Sequence, residues 1–362
     1  MKIASRLDKL RTLFSEHGID AILISSATNR RYLSGFVGSA GYLLITENDQ
    51  VLYTDFRYTE QAESQAPNFK TERISGPLAW FPEQINTLGV NRVGFESNDM
   101  SVSTYSQFGR ALSDYQGGTE VKLIDIGDAI DKLRAVKDED EIALITRAVE
   151  ITDQAFEEVS AIVEPGMTED QVSWELEKSM REQGAEGLAF ETIVGAGVNG
   201  ALPHHLADQT VIRNGQSVVI DMGAQFDGYC ADLTRTIFVG EPDKKFQQVY
   251  GIVLDAQLQA EKRVRHGMTG EDIDAISRDI ISEAGFGDNF GHSLGHGVGL
   301  DVHEYPRVGP RAKEIIEDGM VFTIEPGIYL TNWGGVRIED IVIMENGHPR
   351  VISRAPKIKV AN

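Results

Sequence analysis

Acidic side chains interrupt apolar, strand-like segments in the second half of the chain. In VVIDMGAQFDGYCADLTRTIFVG (residues 218–240), Asp221 ends one apolar run, Asp232 precedes another, and Asp227-Gly228 predicts the turn between them. An apolar strand rarely tolerates a carboxylate unless something compensates for its desolvation. Because two carboxylates that share a cation need not repel each other, this pair indicates a metal ion between adjoining strands.

Three later segments carry ligands of the same chemical kind. GHSLGHGVGLDVHE (residues 291–304) offers three histidines, VFTIEPGIYL (321–330) ends an apolar strand in Glu325, and GGVRIEDIVIM (334–344) places Glu339 inside another strand. Two Asp, two Glu and one of these histidines, each among glycines, form an oxygen-rich set with a single imidazole. Such a set is typical of a dinuclear hydrolytic site.

A glycine-rich segment offers a competing interpretation. GAGVNG (residues 195–200) matches the dinucleotide-binding pattern G-x-G-x-x-G, and Asp221 follows at a suitable distance. That pattern must open a helix whose N-terminus holds a pyrophosphate, and Pro203 forbids such a helix here. We therefore reject a nicotinamide enzyme and predict a loop that brings His204 to a pocket.

The composition limits the partners and the location. Lys and Arg number 34 against 56 Asp and Glu, and the net charge of −22 argues against a nucleic-acid groove or an anionic membrane surface. The single cysteine, Cys230, fits a reducing compartment. Neither a signal peptide nor an apolar run of membrane-spanning length is evident. We expect a cytoplasmic protein without nucleic-acid or membrane partners.

The first third of the chain alternates helical and strand patterns and predicts an α/β domain over residues 1–125. A charged stretch, residues 128–141, is interpreted as a linker into a long helix over 138–163. The predicted elements of the first domain are helices at 4–17, 57–65 and 104–112, strands at 21–25, 92–96 and 121–125, and a hairpin of strands 42–46 and 50–54.

The remainder, residues 126–362, is predicted to be one α+β domain with an internal repeat. EPGMTEDQV (residues 164–172) resembles RHGMTGEDI (265–273), and in both a Gly-Met-Thr precedes an amphipathic helix. Thr168 and Thr269 are the expected N-caps, with Gln171 and Asp272 at the third helical position. A pseudo-twofold domain with its ligands at the junction explains this arrangement.

These segments together resemble the pita-bread metallopeptidases, and within them the Xaa-Pro branch of aminopeptidase P and prolidase. The resemblance covers nearly the whole chain and rests on the segments at 218–240, 291–304, 323–330 and 334–342. The first domain is similar to the N-terminal domain of creatinase. The resemblance implies an α/β N-terminal domain followed by an α+β pita-bread catalytic domain.

It also implies a role for each ligand. Asp221 would bind one metal ion, Asp232 and Glu339 would bridge two ions, and His296 and Glu325 would complete the other. A water between the ions would be the nucleophile, and Glu325 would accept its proton. Mn²⁺ suits these ligands best, while Co²⁺, Zn²⁺ and Fe²⁺ stay compatible with them.

The same resemblance implies substrate contacts beside the ligands. Candidate catalytic residues are His204, His303, Glu325 and Arg337, and candidate substrate-binding residues are His204, His292, His303 and Arg307. His205 departs from the family pattern, in which a small residue often follows that histidine. Either member of the pair could therefore face the substrate.

The expected function is hydrolysis of the Xaa-Pro bond at the N-terminus of short peptides by a homodimer with two divalent ions per chain. The loop GFVGSAG (residues 35–41) is a candidate partner surface. Alternatives are a methionine-type or broad aminopeptidase, which usually lacks the first domain, a metal-free creatine amidinohydrolase, and a non-catalytic binding protein on this fold. The complete ligand set disfavours the last two.

Overall fold

The structure, a computed structural model, describes residues 2–76, 78–116, 120–357 and 360–361. The chain divides into two compact units, Met1–Arg134 and Ala135–Asn362. The sequence places this boundary after Asp125, whereas the structural division follows Arg134. Asn29 donates a hydrogen bond to Asp131 and accepts one from Arg134, which ties this short segment to the first unit.

The first unit is built on a six-stranded mixed sheet with the order β4-β3-β2-β1-β5-β6. Its elements are α1 (Ile3–His17), β1 (Ala21–Ile24), α2 (Ala27–Ser34), β2 (Tyr42–Thr46), β3 (Gln50–Thr54), α3 (Thr59–Gln65), β4 (Lys70–Arg73), α4 (Trp80–Leu88), β5 (Arg92–Phe95), α5 (Val102–Asp114), β6 (Lys122–Asp125) and α6 (Ala129–Ala135).

The predicted elements of this unit are confirmed, including the β2–β3 hairpin. The sequence missed α2 because its segment, ATNRRYLS, has no apolar stripe. The fold buries the polar side chains of Asn29 and Arg30 instead, and the Ser26 hydroxyl caps the helix. The predicted linker also proved wrong in part, since residues 128–141 contain α6.

The second unit contains two mainly antiparallel sheets that carry the ligand segments, each covered by a pair of long helices. Its elements are α7 (Glu139–Ser160), α8 (Glu169–Glu182), β7 (Gly187–Leu188), β8 (Ile193–Ala196), a 3₁₀ helix (Gly197–Ala201), β9 (Gln216–Met222), β10 (Ala224–Phe226), β11 (Tyr229–Cys230), β12 (Leu233–Val239), α9 (Lys244–Arg263), α10 (Gly270–Glu283), a 3₁₀ helix (Gly287–Asn289), β13 (Gly295–Gly297), β14 (Glu304–Val308), β15 (Val321–Ile324), β16 (Gly327–Leu330), β17 (Gly334–Arg337), β18 (Asp340–Glu345), β19 (His348–Val351) and β20 (Val360–Ala361).

The two halves of this unit repeat the same plan. Helices α7 and α8 pack together beside the sheet that contains β8, β9 and β12, and α9 and α10 pack together beside the sheet that contains β13, β15 and β18. Thr168 and Thr269 each cap their helix in a reciprocal capping box with Gln171 and Asp272. The predicted repeat and its caps are confirmed.

Two local features differ from the sequence interpretation. GGVRIEDIVIM is not one strand, because β17 pairs with β16 whereas β18 pairs with β15 and β19. The chain changes sheets at Ile338 and Glu339, so Glu339 lies between strands. By contrast, the turn at Asp227-Gly228 is confirmed: both residues have positive φ, and β10 and β11 pair on either side.

Within the described part of the chain, every helix is too short or too polar to cross a bilayer.

Candidate metal centre

The predicted ligands meet where the two sheets of the second unit approach each other. Ligand atoms of Asp232, His296 and Glu339 lie within 4.8 Å of one another. His296 Nε2 lies 3.2 Å from Glu325 Oε1 and 3.6 Å from Asp232 Oδ2. Asp221 lies near enough that its charge raises the pKa values of Asp232 and Glu339. All five predicted ligands therefore share one site.

Strand ends position these side chains. Asp221 lies on β9 opposite Thr234 of β12, and Asp232 immediately precedes β12. In the second half, Glu325 follows β15 and Glu339 precedes β18. The backbone N–H of Glu339 donates to the carbonyl of Thr234 at 3.0 Å, so one hydrogen bond joins the two halves beside the ligands.

Burial and repulsion leave this carboxylate cluster in need of positive charge. Burial raises the pKa of Asp232 well above its usual value, and the charges of Glu339, Asp221 and Glu325 raise it further. Burial likewise raises the pKa of Glu339, and the charges of Glu325 and Asp221 raise it further. Asp221 Oδ1 is buried and has no hydrogen-bond partner among the residues that the structure describes. A buried acceptor of this kind calls for a partner, and a divalent cation supplies one.

His296 has the ring orientation of a metal ligand. Its Nδ1 lies 3.2 Å from the carbonyl of Gly297 and can donate to it, which directs the lone pair of Nε2 toward the carboxylates. Burial would lower the pKa of His296, but the Glu325 carboxylate overcomes that effect and the pKa is raised. A cation bound to His296 would take the place of the imidazole proton in this favourable interaction with the Glu325 carboxylate.

Arg337 ties the ligand Asp221 to the neighbouring strands. Its guanidinium donates to Asp221 Oδ2 at 2.6 Å, to the Tyr329 hydroxyl at 2.8 Å and to Thr234 Oγ1 at 3.0 Å. Thr234 Oγ1 in turn donates to Glu339 Oε2 at 2.7 Å. This chain of hydrogen bonds fixes two of the ligands relative to each other.

Sequence reasoning missed Tyr329 and Thr234, although both lie in segments that it singled out. Tyr329 also lies 2.9 Å from His292 Nε2 and connects that histidine to Arg337. Burial raises the pKa of Tyr329 to about 12, so its hydroxyl keeps its proton at neutral pH. An alternation of apolar and polar residues gives no sign of such partners, because they come from other strands.

The other predicted histidines surround the ligands at different distances. The rings of His296 and His303 are 4.3 Å apart and nearly perpendicular, and His292 Nδ1 lies 3.9 Å from Glu325 Oε2. Burial lowers the pKa of His303, and the charges of His296 and His204 also lower it. His204 is exposed.

His205 occupies a different environment from His204. Its Nε2 lies 2.7 Å from the buried carboxylate of Glu169, and its side chain is only 11% exposed. Arg307 is exposed on β14, where it pairs with His296 in the ladder. Of the predicted substrate contacts, His292 and His303 thus lie against the ligands. His303 is also exposed, as His204 and Arg307 are.

Both parts of the chain match known protein families. Metallopeptidase family M24 matches residues 143–346, and the Creatinase/Prolidase N-terminal domain matches residues 6–136. The chain belongs to metallopeptidase family M24. This metallopeptidase therefore combines a creatinase-type N-terminal domain with a pita-bread catalytic domain, and the predicted fold class is confirmed.

Relatives of the metallopeptidase match along nearly its whole length. An Xaa-Pro dipeptidase from Pyrococcus furiosus is 39% identical over 96% of this chain and 97% of its own. The structure of an Xaa-Pro dipeptidase from Bacillus anthracis is 40% identical, with a TM-score of 0.95 over 99% of this chain and 100% of its own. An X-Pro aminopeptidase from Thermotoga maritima is 39% identical, with a TM-score of 0.89 over 98% and 100% of the two chains.

The close spacing of the carboxylates predicts how Asp232→Asn changes the thermal stability of the metallopeptidase after chelation. Because the pKa of Asp232 is higher in the folded than in the unfolded chain, its ionisation costs stability as the pH rises. Asp232→Asn removes that cost, so with EDTA at neutral pH the variant should melt at a higher temperature than the wild type. With divalent metal present it should gain less stability than the wild type, because it has lost a ligand.

Thermal unfolding with EDTA and with Mn²⁺ measures both effects. Asp279→Asn, at an exposed position of α10, makes the same change of charge away from the site and serves as the control. An Asp232→Asn variant that melts below the Asp279→Asn variant in EDTA would contradict the electrostatic account of the cluster.

Proposed function

We propose that the protein hydrolyses the bond between an N-terminal residue and a following proline in short peptides. The observation that carries the proposal is the buried cluster of four carboxylates and one imidazole, with two further histidines beside it, in a chain of this family. Relatives named Xaa-Pro dipeptidase and X-Pro aminopeptidase, each at about two-fifths identity along nearly the whole chain, support the choice of substrate.

We further propose that the cluster holds two divalent ions, with Asp232 and Glu339 shared between them. Asp221 would complete one ion's ligands, and His296 and Glu325 the other's. The donor set suits Mn²⁺, a hard divalent ion that prefers carboxylate oxygens. When bound, two such ions supply the Lewis acidity that lowers the pKa of water and polarises a peptide carbonyl.

Glu325 is the proposed proton acceptor. Burial alone would raise its pKa, but the hydrogen bond and charge of His296 and the charges of His292 and Arg337 lower it overall. The carboxylate is therefore ionised at neutral pH and can take a proton. Thr323 Oγ1 donates to Glu325 Oε1 at 3.3 Å and holds the carboxylate in place.

His303 and His204 are the proposed contacts to the scissile carbonyl. The lowered pKa of His303 keeps its ring neutral at physiological pH, so one nitrogen can donate a proton in a hydrogen bond while the other accepts. His204 is the member of the tandem pair that we assign to the substrate, because the ring of His205 is engaged by Glu169. Donors in such positions act mainly on the charge that develops in the transition state.

Selectivity for proline follows from the chemistry of the bond. A residue–proline bond is a tertiary amide that has no N–H to donate, and the proline ring fixes φ. A pocket built for a secondary amide would leave its acceptor unpaired, which costs binding energy. We propose that His292, His303 and Tyr329 form the proline side of the site, and that Arg307 binds the carboxylate of a dipeptide.

The proposed assembly is a homodimer in the cytoplasm. Large apolar side chains are exposed in both units, including Phe56 (69%) in the first and Trp174 (61%) in the second, and such side chains support association. The single, buried Cys230 fits a reducing compartment. Light scattering measures the assembly directly, and a monomer with full activity would contradict it.

A substrate series tests the proposed function. Ala-Pro, Ala-Pro-Ala and Ala-Ala should be compared at equal concentration with Mn²⁺-loaded protein. We expect at least one proline peptide to be hydrolysed far faster than Ala-Ala, and the ratio of the two proline peptides separates a dipeptidase from an aminopeptidase P. Equal rates on Ala-Ala would replace the proposal with a broad aminopeptidase, and no hydrolysis with metal bound would favour a binding protein.

The proposed carbonyl contacts are tested by His204→Ala and His303→Ala. Each variant should keep its metal content and lose kcat on the order of 10²–10³-fold, with a much smaller change in KM, because the lost interaction forms in the transition state. Steady-state kinetics and metal analysis measure these quantities. If His205→Ala has the large effect and His204→Ala is silent, the assignment within the pair is wrong.

A further inference from the structure

We propose that Glu169 is a positioning residue that holds the loop of residues 196–208, here called the histidine loop, and through it sets the place of His204. The inference rests on the proposed role of His204 at the substrate. Glu169 is the first residue of α8 and is completely buried. Its side-chain hydrogen bonds go to residues of this loop, so its part in the reaction is exerted through the loop.

Both oxygens of Glu169 are used by the histidine loop. Oε1 accepts from the backbone N–H of Ala196 at 2.7 Å and from Asn199 Nδ2 at 2.9 Å. Oε2 lies 2.7 Å from His205 Nε2 and accepts from the N–H of Asp208 at 3.4 Å. One buried carboxylate thus makes four contacts spread over the length of the loop.

Hydrogen bonds hold the loop on both sides of His204. Leu202 and Leu206 are more than half exposed, so these two side chains contribute little apolar burial. Glu169 holds His205 on one side, and on the other side the carbonyl of Pro203 accepts from Arg337 Nη1 at 3.4 Å. His204 lies between these two anchors, one of which also binds the ligand Asp221.

The chemistry of Glu169 suits this task. A carboxylate is a strong acceptor for several donors at once, and the first turn of α8 favours its negative charge. Its hydrogen bond with His205 Nε2 also orients that imidazole. The ring of His205 is thereby engaged by Glu169, which leaves the substrate contact to His204. A glutamine could accept on one oxygen only, and its amide would meet the donors that now face Oε2.

An ion is not needed to explain this cluster. Ligand atoms of Glu169, His205 and Asp208 lie within 4.8 Å of one another. However, both Glu169 oxygens already accept hydrogen bonds, and Asp208 Oδ1 accepts from the N–H of Thr210 at 2.6 Å. Hydrogen bonding to the loop therefore accounts for the placement of these side chains.

The second repeat uses a similar device. Asp274 of α10 is buried, accepts from the N–H of Leu294 at 3.0 Å and pairs with Arg278 at 2.6 Å. Arg278 donates to the carbonyls of Phe290 and His292, each at 2.8 Å. In both halves, a buried acid near the start of the second helix holds the loop that carries a histidine of the site.

A double-mutant experiment tests the proposal with the Mn²⁺-loaded full chain. Glu169→Gln should lower kcat on Ala-Pro by roughly 10-fold, with little change in KM and unchanged metal content, because displaced groups lose alignment with the reacting bond. In the His204→Ala background the same substitution should lower kcat by less than about twofold. Glu182→Gln, an exposed glutamate on the same helix, should change neither quantity.

A second measurement does not depend on activity. Hydrogen exchange of peptides that cover residues 196–209 should be faster in Glu169→Gln than in the wild type, and unchanged in Glu182→Gln. If the wild type hydrolyses no Xaa-Pro peptide, the proposed function fails and the exchange result alone decides whether Glu169 holds the loop. If Glu169→Gln does not fold, His205→Asn removes one contact from the other side and takes the same two tests.

Two results would overturn the inference. One is an equal loss of kcat from Glu169→Gln in the wild-type and His204→Ala backgrounds, which would indicate a general structural effect. The other is unchanged exchange over residues 196–209, which would mean that the loop is held by other contacts.

Discussion

The repulsion among four carboxylates in one buried space is the constraint on which the second unit depends. Asp221, Asp232, Glu325 and Glu339 come together in a space where two are buried and two are partly exposed. Burial and mutual charge raise the pKa values of the buried pair, Asp232 and Glu339. An unpaired buried charge costs several kcal/mol or more, so a fold that gathers four must supply compensation. Arg337 and His296 supply part of it through Asp221 and Glu325.

The internal repeat explains how the fold gathers these groups. Each half contributes two acids from the ends of neighbouring strands, and the bond from Glu339 N–H to the Thr234 carbonyl joins the halves at the site. Arg235 strengthens this junction, since its buried guanidinium donates to Asp340 at 2.6 Å and to the carbonyls of Glu339 and Ala355. Rigid strand ends of this kind hold ligands more closely than mobile loops do.

Much of the site was predictable because an acid within or beside an apolar, strand-like run is conspicuous in a sequence. Asp232, Glu325 and Glu339 all stand out in that way, although the change of sheet at Glu339 does not. The repeat was visible through the capping residues Thr168 and Thr269. The pairing of His205 with Glu169 was not predictable, because the two residues are far apart in sequence and only the tertiary fold brings them together.

If the carboxylate cluster holds two cations, as proposed, a titration of chelated protein with Mn²⁺ shows it most directly. Calorimetry combined with metal analysis after desalting counts the ions per chain. We expect two ions per chain in the wild type and fewer in Glu339→Gln. Protons should be released on binding, because His296 and the carboxylates with raised pKa values must give them up. A wild-type chain that binds no divalent ion at neutral pH would contradict the proposed metal site.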